Sequence, residues 1–104
     1  MIDSIGKFLD AYEGDFEASI AFDFEEGRYL FGDPTGSAKQ TMDSGLIKRL
    51  ERLGVLYVYA GVLKINPMAM RVLEEMRNDG KPLSEEVFRL EIEKSKALGA
   101  NALF

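Results

Sequence analysis

The side chains able to do chemistry are few in kind. The 104-residue chain contains neither Cys nor His, which removes thiolate and imidazole ligands, disulfides, and every Ser-His or Cys-His nucleophile pair. What remains is 18 Asp and Glu against 13 Lys and Arg. Paired carboxylates can act as acid and base or hold magnesium, but only in a shaped pocket that no spacing here marks. No catalytic residue, metal site or cofactor is therefore assigned, and the chain is read as a non-enzyme. The stretch GDPTGSAK sets glycines and a lysine ahead of a helix, yet it lacks the G-x-x-x-x-G-K-[ST] spacing that cradles a phosphate and reads as a connector.

One cationic ridge stands out. Ser44, Lys48 and Arg52 recur at i, i+4 and i+8, with Lys39, Thr41 and Arg49 flanking them. A helix presenting that ridge meets either phosphate or plain solvent. Leu46, Ile47, Leu50 and Leu53 make the opposite, apolar stripe at 3.6 residues per turn. The segment 37–53 reads as one helix from about Met42, or as two, with Ala38 to Met42 closing the first and Asp43-Ser44-Gly45 as the turn between them.

The elements that must hold this ridge are marked by local signals. Gly54 stands where a left-handed helix cap belongs, with Arg49 and Arg52 against the negative end of the helix dipole. Val55 to Tyr59 and Val62 to Ile65, around Ala60-Gly61, make a tight β-hairpin. Tyr57 and Tyr59 share one side of their strand, suited to packing at the edge of the core or to a partner surface. Asn66 caps and Pro67 opens a further helix whose buried stripe is Ala69, Val72, Leu73 and Met76.

The run GLIKRLERLGVLYVYAGVLKINPMAMRVLEEM resembles the C-terminal half of a winged helix-turn-helix domain, in which a recognition helix passes into a two-stranded wing and then another helix. Leu50, Glu51, Gly54, Val55 and the Ile65-Asn66-Pro67 step carry the likeness to MarR-like regulators and to plasmid replication proteins, over about residues 44–78. It departs from that pattern at the wing tip, where Ala60-Gly61 offers no Arg or Lys, and upstream, where the first two helices of the motif do not read cleanly. The resemblance implies an α+β, winged helix-like fold and duplex DNA as a partner. It also implies a homodimer through the C-terminal helix 84–98, for which docking on the chain's own core is an equal alternative.

The remainder of the chain is expected to be structural. Ile2 to Tyr12 reads as a helix capped by Asp3 or Ser4 and ended by Gly14; Ile5, Phe8, Leu9 and Tyr12 form its stripe. In 16–31, Ile20, Phe22 and Phe24 alternate and Arg28 to Phe31 returns after Glu25-Glu26-Gly27, which favours an extra hairpin; Phe16, Ile20 and Phe24 also fit a helix. Thr35 or Ser37 could cap the element after the connector. A terminal helix starts at Ser84, with Glu85 and Glu86 at its positive end, Leu83 stapled to Phe88, and Val87, Phe88, Leu90 and Ile92 as its apolar positions. The tail 99–104 is expected to fray.

Length and charge bound the rest. One domain, 1–104, suits this size. No run is long and apolar enough to span a membrane, and the N-terminus lacks the pattern of an export signal, so a soluble cytoplasmic protein is expected. The net charge of -5 is unevenly spread. Residues 1–33 hold nine acids against Lys7 and Arg28, a net of -7; residues 34–66 hold five bases against Asp43 and Glu51, a net of +3. The cationic ridge can then reach DNA only where the acidic third faces elsewhere. The sequence reads as a small DNA-binding protein, a transcription regulator or replication accessory, or else as a protein interaction module or an acidic phage-type inhibitor on the same scaffold.

Overall fold

The computed structural model describes residues 1–14, 17–33 and 39–97. The readings that fall on Phe16, Thr35, Ser37, Ala38, Leu98 and the tail 99–104 lie outside the described residues. Among the described residues the order is α1 (Ile5–Gly14), β1 (Ser19–Asp23), β2 (Arg28–Gly32), β3 (Gln40–Met42), α2 (Ser44–Leu53), β4 (Leu56–Tyr59), β5 (Val62–Ile65), α3 (Pro67–Asn78) and α4 (Glu85–Ala97). The fold is α+β, with an antiparallel sheet β1-β2-β3 and a separate hairpin β4-β5. None of the described helices is long and apolar enough to cross a membrane.

The first hairpin forms because its turn satisfies itself. The Asp23 carboxylate accepts from the amides of Glu25 (3.1 Å) and Glu26 (3.4 Å), and Gly27 supplies the positive φ, 67°, that closes the loop. Ile20 pairs with Phe31 on the buried face, where Phe31 meets Phe8 of α1 edge to face at 5.6 Å. The hairpin reading of this region thus holds for the described residues.

Among the described residues, the segment expected to close a helix at Met42 is not helical. Gln40 to Met42 is instead β3, paired with Tyr29 to Phe31. The chain start lies along its other edge: Ile2 N–H donates to Thr41 O (2.8 Å) and Asp43 N–H to Ile2 O (2.9 Å). Ile2 and Met42 are both buried by that bridge. Pairing on both edges outweighs the weak helix preference of three residues. For the same reason α1 begins at Ile5 rather than Ile2, with the Ser4 hydroxyl accepting from Lys7 N–H (3.2 Å).

Helix α2 therefore starts later than Met42, at Ser44. Asp43 is its N-cap, accepting from Leu46 N–H at 2.9 Å. Leu46, Ile47 and Leu50 are buried and Gly54, at φ 78°, ends the helix in the left-handed conformation. The β4-β5 turn has positive φ at both central residues, Ala60 (52°) and Gly61 (76°), the geometry that matches the twist of a two-residue hairpin. Ala60 holds that conformation at a cost, so Ala60→Gly is expected to raise stability by about 0.5–1 kcal/mol in a urea melt.

Asn66 ties three elements together. Its carboxamide oxygen accepts from Met68 N–H (3.0 Å), its NH2 donates to Gly54 O (3.1 Å), and its backbone N–H reaches Val55 O (2.9 Å). The start of α3, the end of α2 and the approach to β4 are thereby fixed to one another. Asn66→Ala should lose about 2 kcal/mol, roughly one for the cap and one for the stranded carbonyl. Asn66→Asp keeps the cap acceptor but cannot donate to Gly54 O, and paired thermal melts should place it between alanine and the parent.

The two C-terminal helices close the core. Ala69, Met70, Val72, Leu73 and Met76 of α3 and Phe88 and Ile92 of α4 are buried, while Leu90, counted among the apolar positions of the last helix, is 62% exposed. Four residues separate Phe88 from Ile92, which sets their shared face and turns Leu90 out. Ser84 caps α4, accepting from Val87 N–H at 3.2 Å. Lys81 hydrogen-bonds Glu91, which lifts the lysine above and holds the carboxyl below their ordinary values. A depressed carboxyl stabilises the fold above its unfolded value and loses that contribution as pH falls through the folded one; the raised lysine contributes until pH climbs through its own folded value. Glu91→Gln should accordingly flatten the acid limb of a stability profile taken by urea melts across pH, relative to the parent.

Candidate nucleic-acid interface

Helix α2 delivers the ridge in the expected register. Ser44, Lys48, Arg49 and Arg52 are all exposed, and the first, second and fourth lie one above another along one face. Capping at both ends by Asp43 and Gly54, and burial of the opposite stripe, hold that face still. Lys48 has no carboxylate within ion-pair distance among the described residues. Arg49 donates to the backbone oxygen of Asp3 at 3.5 Å, so the chain start borders the ridge. Arg52 stands 3.6 Å from Glu85 Oε1 of α4, near enough for attraction but too long for a good hydrogen bond. That oxygen is covered and has no hydrogen-bond partner among the described residues.

The other assigned residues are placed differently. Lys39 and Thr41 do not extend the helical face, because Thr41 is half-buried in β3 and Lys39 precedes that strand. Tyr57 and Tyr59 are exposed, and the register puts them on one face of the hairpin with Lys64 and Val62. Tyr57 also lines a cleft of about 550 Å³ with Arg52, Ile92 and Lys96, between the end of α2, β4 and α4. Arg89 joins Arg52 and Lys96 in the adjoining hollow. Lys64, Arg89 and Lys96 are cations that a search along the sequence misses, since it weighs each helix by itself. For Lys64 a signal exists: the two-residue turn sets it directly across from Tyr57.

No family model, curated protein or solved structure matches the chain.

Part of the acidic N-terminal third is ion-paired where it stands, although it stays net negative. Asp10 and Glu13 of α1 both bind Arg77 of α3, and Asp23 faces Arg28. Lys7 hydrogen-bonds Asp3 and holds its carboxyl below the usual range. Glu25 and Glu26 lie at the tip of the first hairpin, in solvent. Among the described residues no three Asp or Glu side chains converge as a metal site would require.

Proposed function

We propose that the chain is a small winged helix-like DNA-binding protein, a regulator or replication accessory, that lays α2 against duplex DNA. The observation that carries the reading is Lys48: it is exposed and, among the described residues, has no carboxylate within ion-pair distance, at the middle of a doubly capped helix with Ser44 and Arg52 one turn away on either side. Supporting it, α2 runs straight into the hairpin β4-β5, and β1 lies beside β5. A strand, β3, rather than the helix of a helix-turn-helix, precedes α2.

In this reading Lys48, Arg49 and Arg52 meet phosphates and Ser44 adds a neutral hydrogen bond. Lys39, just before β3, and Thr41, within it, serve only as flanking contacts. Pairing of two copies through α4 would use Leu90, because Phe88 and Ile92 are spent on the chain's own core.

The rival is a protein interaction module, or an acidic inhibitor occupying a nucleic-acid-binding partner. It draws on the wing tip, which bears no cation, and on the exposed Tyr57 and Tyr59. Anisotropy of a labelled duplex across a salt series separates the two. Three phosphate contacts predict a slope of log K against log salt of about -3. Absence of any binding at low ionic strength rejects the DNA reading.

A further inference from the structure

The inward side of both hairpins runs on past the part that the helices cover. In the first sheet Phe22 pairs with Tyr29 on the same face as the buried pair Ile20 and Phe31. Phe22 nevertheless remains 39% exposed, stacked edge to face at 4.9 Å on both Tyr29 and Phe24. Phe24, in the turn, is 88% exposed. In the second hairpin Val58 lies on the face of buried Leu56 yet is 59% exposed. These ends line one trough of about 460 Å³, with Val62 at the rim and Glu51 of α2 among its lining residues.

Three carboxylates border this apolar surface without a cation: Glu25 and Glu26 beside Phe24, and Glu51 in the trough, none of them ion-paired among the described residues. An aromatic cluster in solvent beside uncompensated negative charge is complementary to a segment that is apolar on one side and basic on the other. We propose that the trough docks a basic amphipathic segment of a partner protein. Its apolar side chains would insert between Phe22 and Val58, and its Lys or Arg residues would meet Glu25, Glu26 and Glu51.

A second copy of this chain suits the trough less well. The outward apolar side chain of α4 is Leu90, and Glu86 and Glu93 stand a turn on either side of it, so carboxylates would meet carboxylates. Nucleic acid is opposed by the same charges.

The test uses the full chain, isotope-labelled, titrated with a Leu/Lys amphipathic peptide and with its Leu/Glu counterpart. The Leu/Lys peptide should bind, shift amides of residues 20–30, 51 and 58–63, and weaken with salt; the Leu/Glu peptide should not bind. Phe24→Ser combined with Val58→Ser should lose about tenfold in affinity. Both side chains are largely exposed, so the melting temperature should barely move. A parallel variant, Glu25→Gln with Glu26→Gln, should reduce the salt dependence while leaving the apolar surface in place. Equal affinity of parent and serine variant, equal binding of the Leu/Glu peptide, or shifts elsewhere on the acidic surface would overturn the proposal. A dimer seen by light scattering that the serine variant abolishes would assign the trough to a second copy and overturn it too.

Discussion

Lys48→Glu combined with Arg52→Glu is expected to abolish duplex binding, by more than about a hundredfold at low salt, since two attractive charges become repulsive ones at the centre of the contact. Stability should be nearly unchanged. Lys48 has no ion-pair partner to lose among the described residues, and Arg52 is exposed and stands 3.6 Å from the covered Glu85 oxygen, a contact too long to contribute much. The control is Arg71→Glu, an exposed cation on the separate helix α3. Arg71→Glu changes the charge by half as much, so if binding needs only overall charge it should lose about half as much on a logarithmic scale; if binding needs the α2 ridge, Arg71→Glu should remain close to the parent. Anisotropy on a common duplex and thermal melts of all three proteins decide between these outcomes.

The largest effect on stability is expected at Leu50. It is fully buried at the middle of the apolar stripe of α2, and its carbonyl accepts Val55 N–H at 2.9 Å in the turn that leads into β4. Removing most of its side chain should cost about 3 kcal/mol, transfer and cavity together. A domain of this size has only about 5–15 kcal/mol in total, and such a loss corresponds to a fall of roughly 15 °C in melting temperature. Leu50→Met, which nearly conserves volume, should cost less than about 1.5 kcal/mol. Urea melts measure both; a Leu50→Ala cost below about 1 kcal/mol would contradict the packing described for α2.

What the sequence made legible was set by local chemistry. Gly54, the Ala60-Gly61 turn, the Asn66-Pro67 step and Ser84 each act on backbone within a few residues, and each stands where its type predicts. Strand β3 was not legible, because what makes Gln40 to Met42 extended is pairing with β2 on one edge and with Ile2 on the other. No short window of sequence contains that information. The ridge was half legible: helical spacing correctly grouped Ser44, Lys48 and Arg52, whereas Lys39 and Thr41 were joined to it by a helix that is in fact a strand. Lys64, Arg89 and Lys96 were hidden for the converse reason, since only the packing of α4 beside α2 brings the last two to Arg52. Residue type alone grouped Leu90 with Phe88 and Ile92, although a helix with those two buried must turn it outward.

The claim on which the function rests is that the solvent face of α2, and not the acidic hairpin or the tyrosine face, meets duplex DNA. Amide chemical shifts of the isotope-labelled protein, followed as a short duplex is added at low ionic strength, test it most directly. The largest changes should fall on residues 44–52, with lesser ones on the β4-β5 hairpin. Changes centred on residues 20–30, or no changes at all, would contradict it.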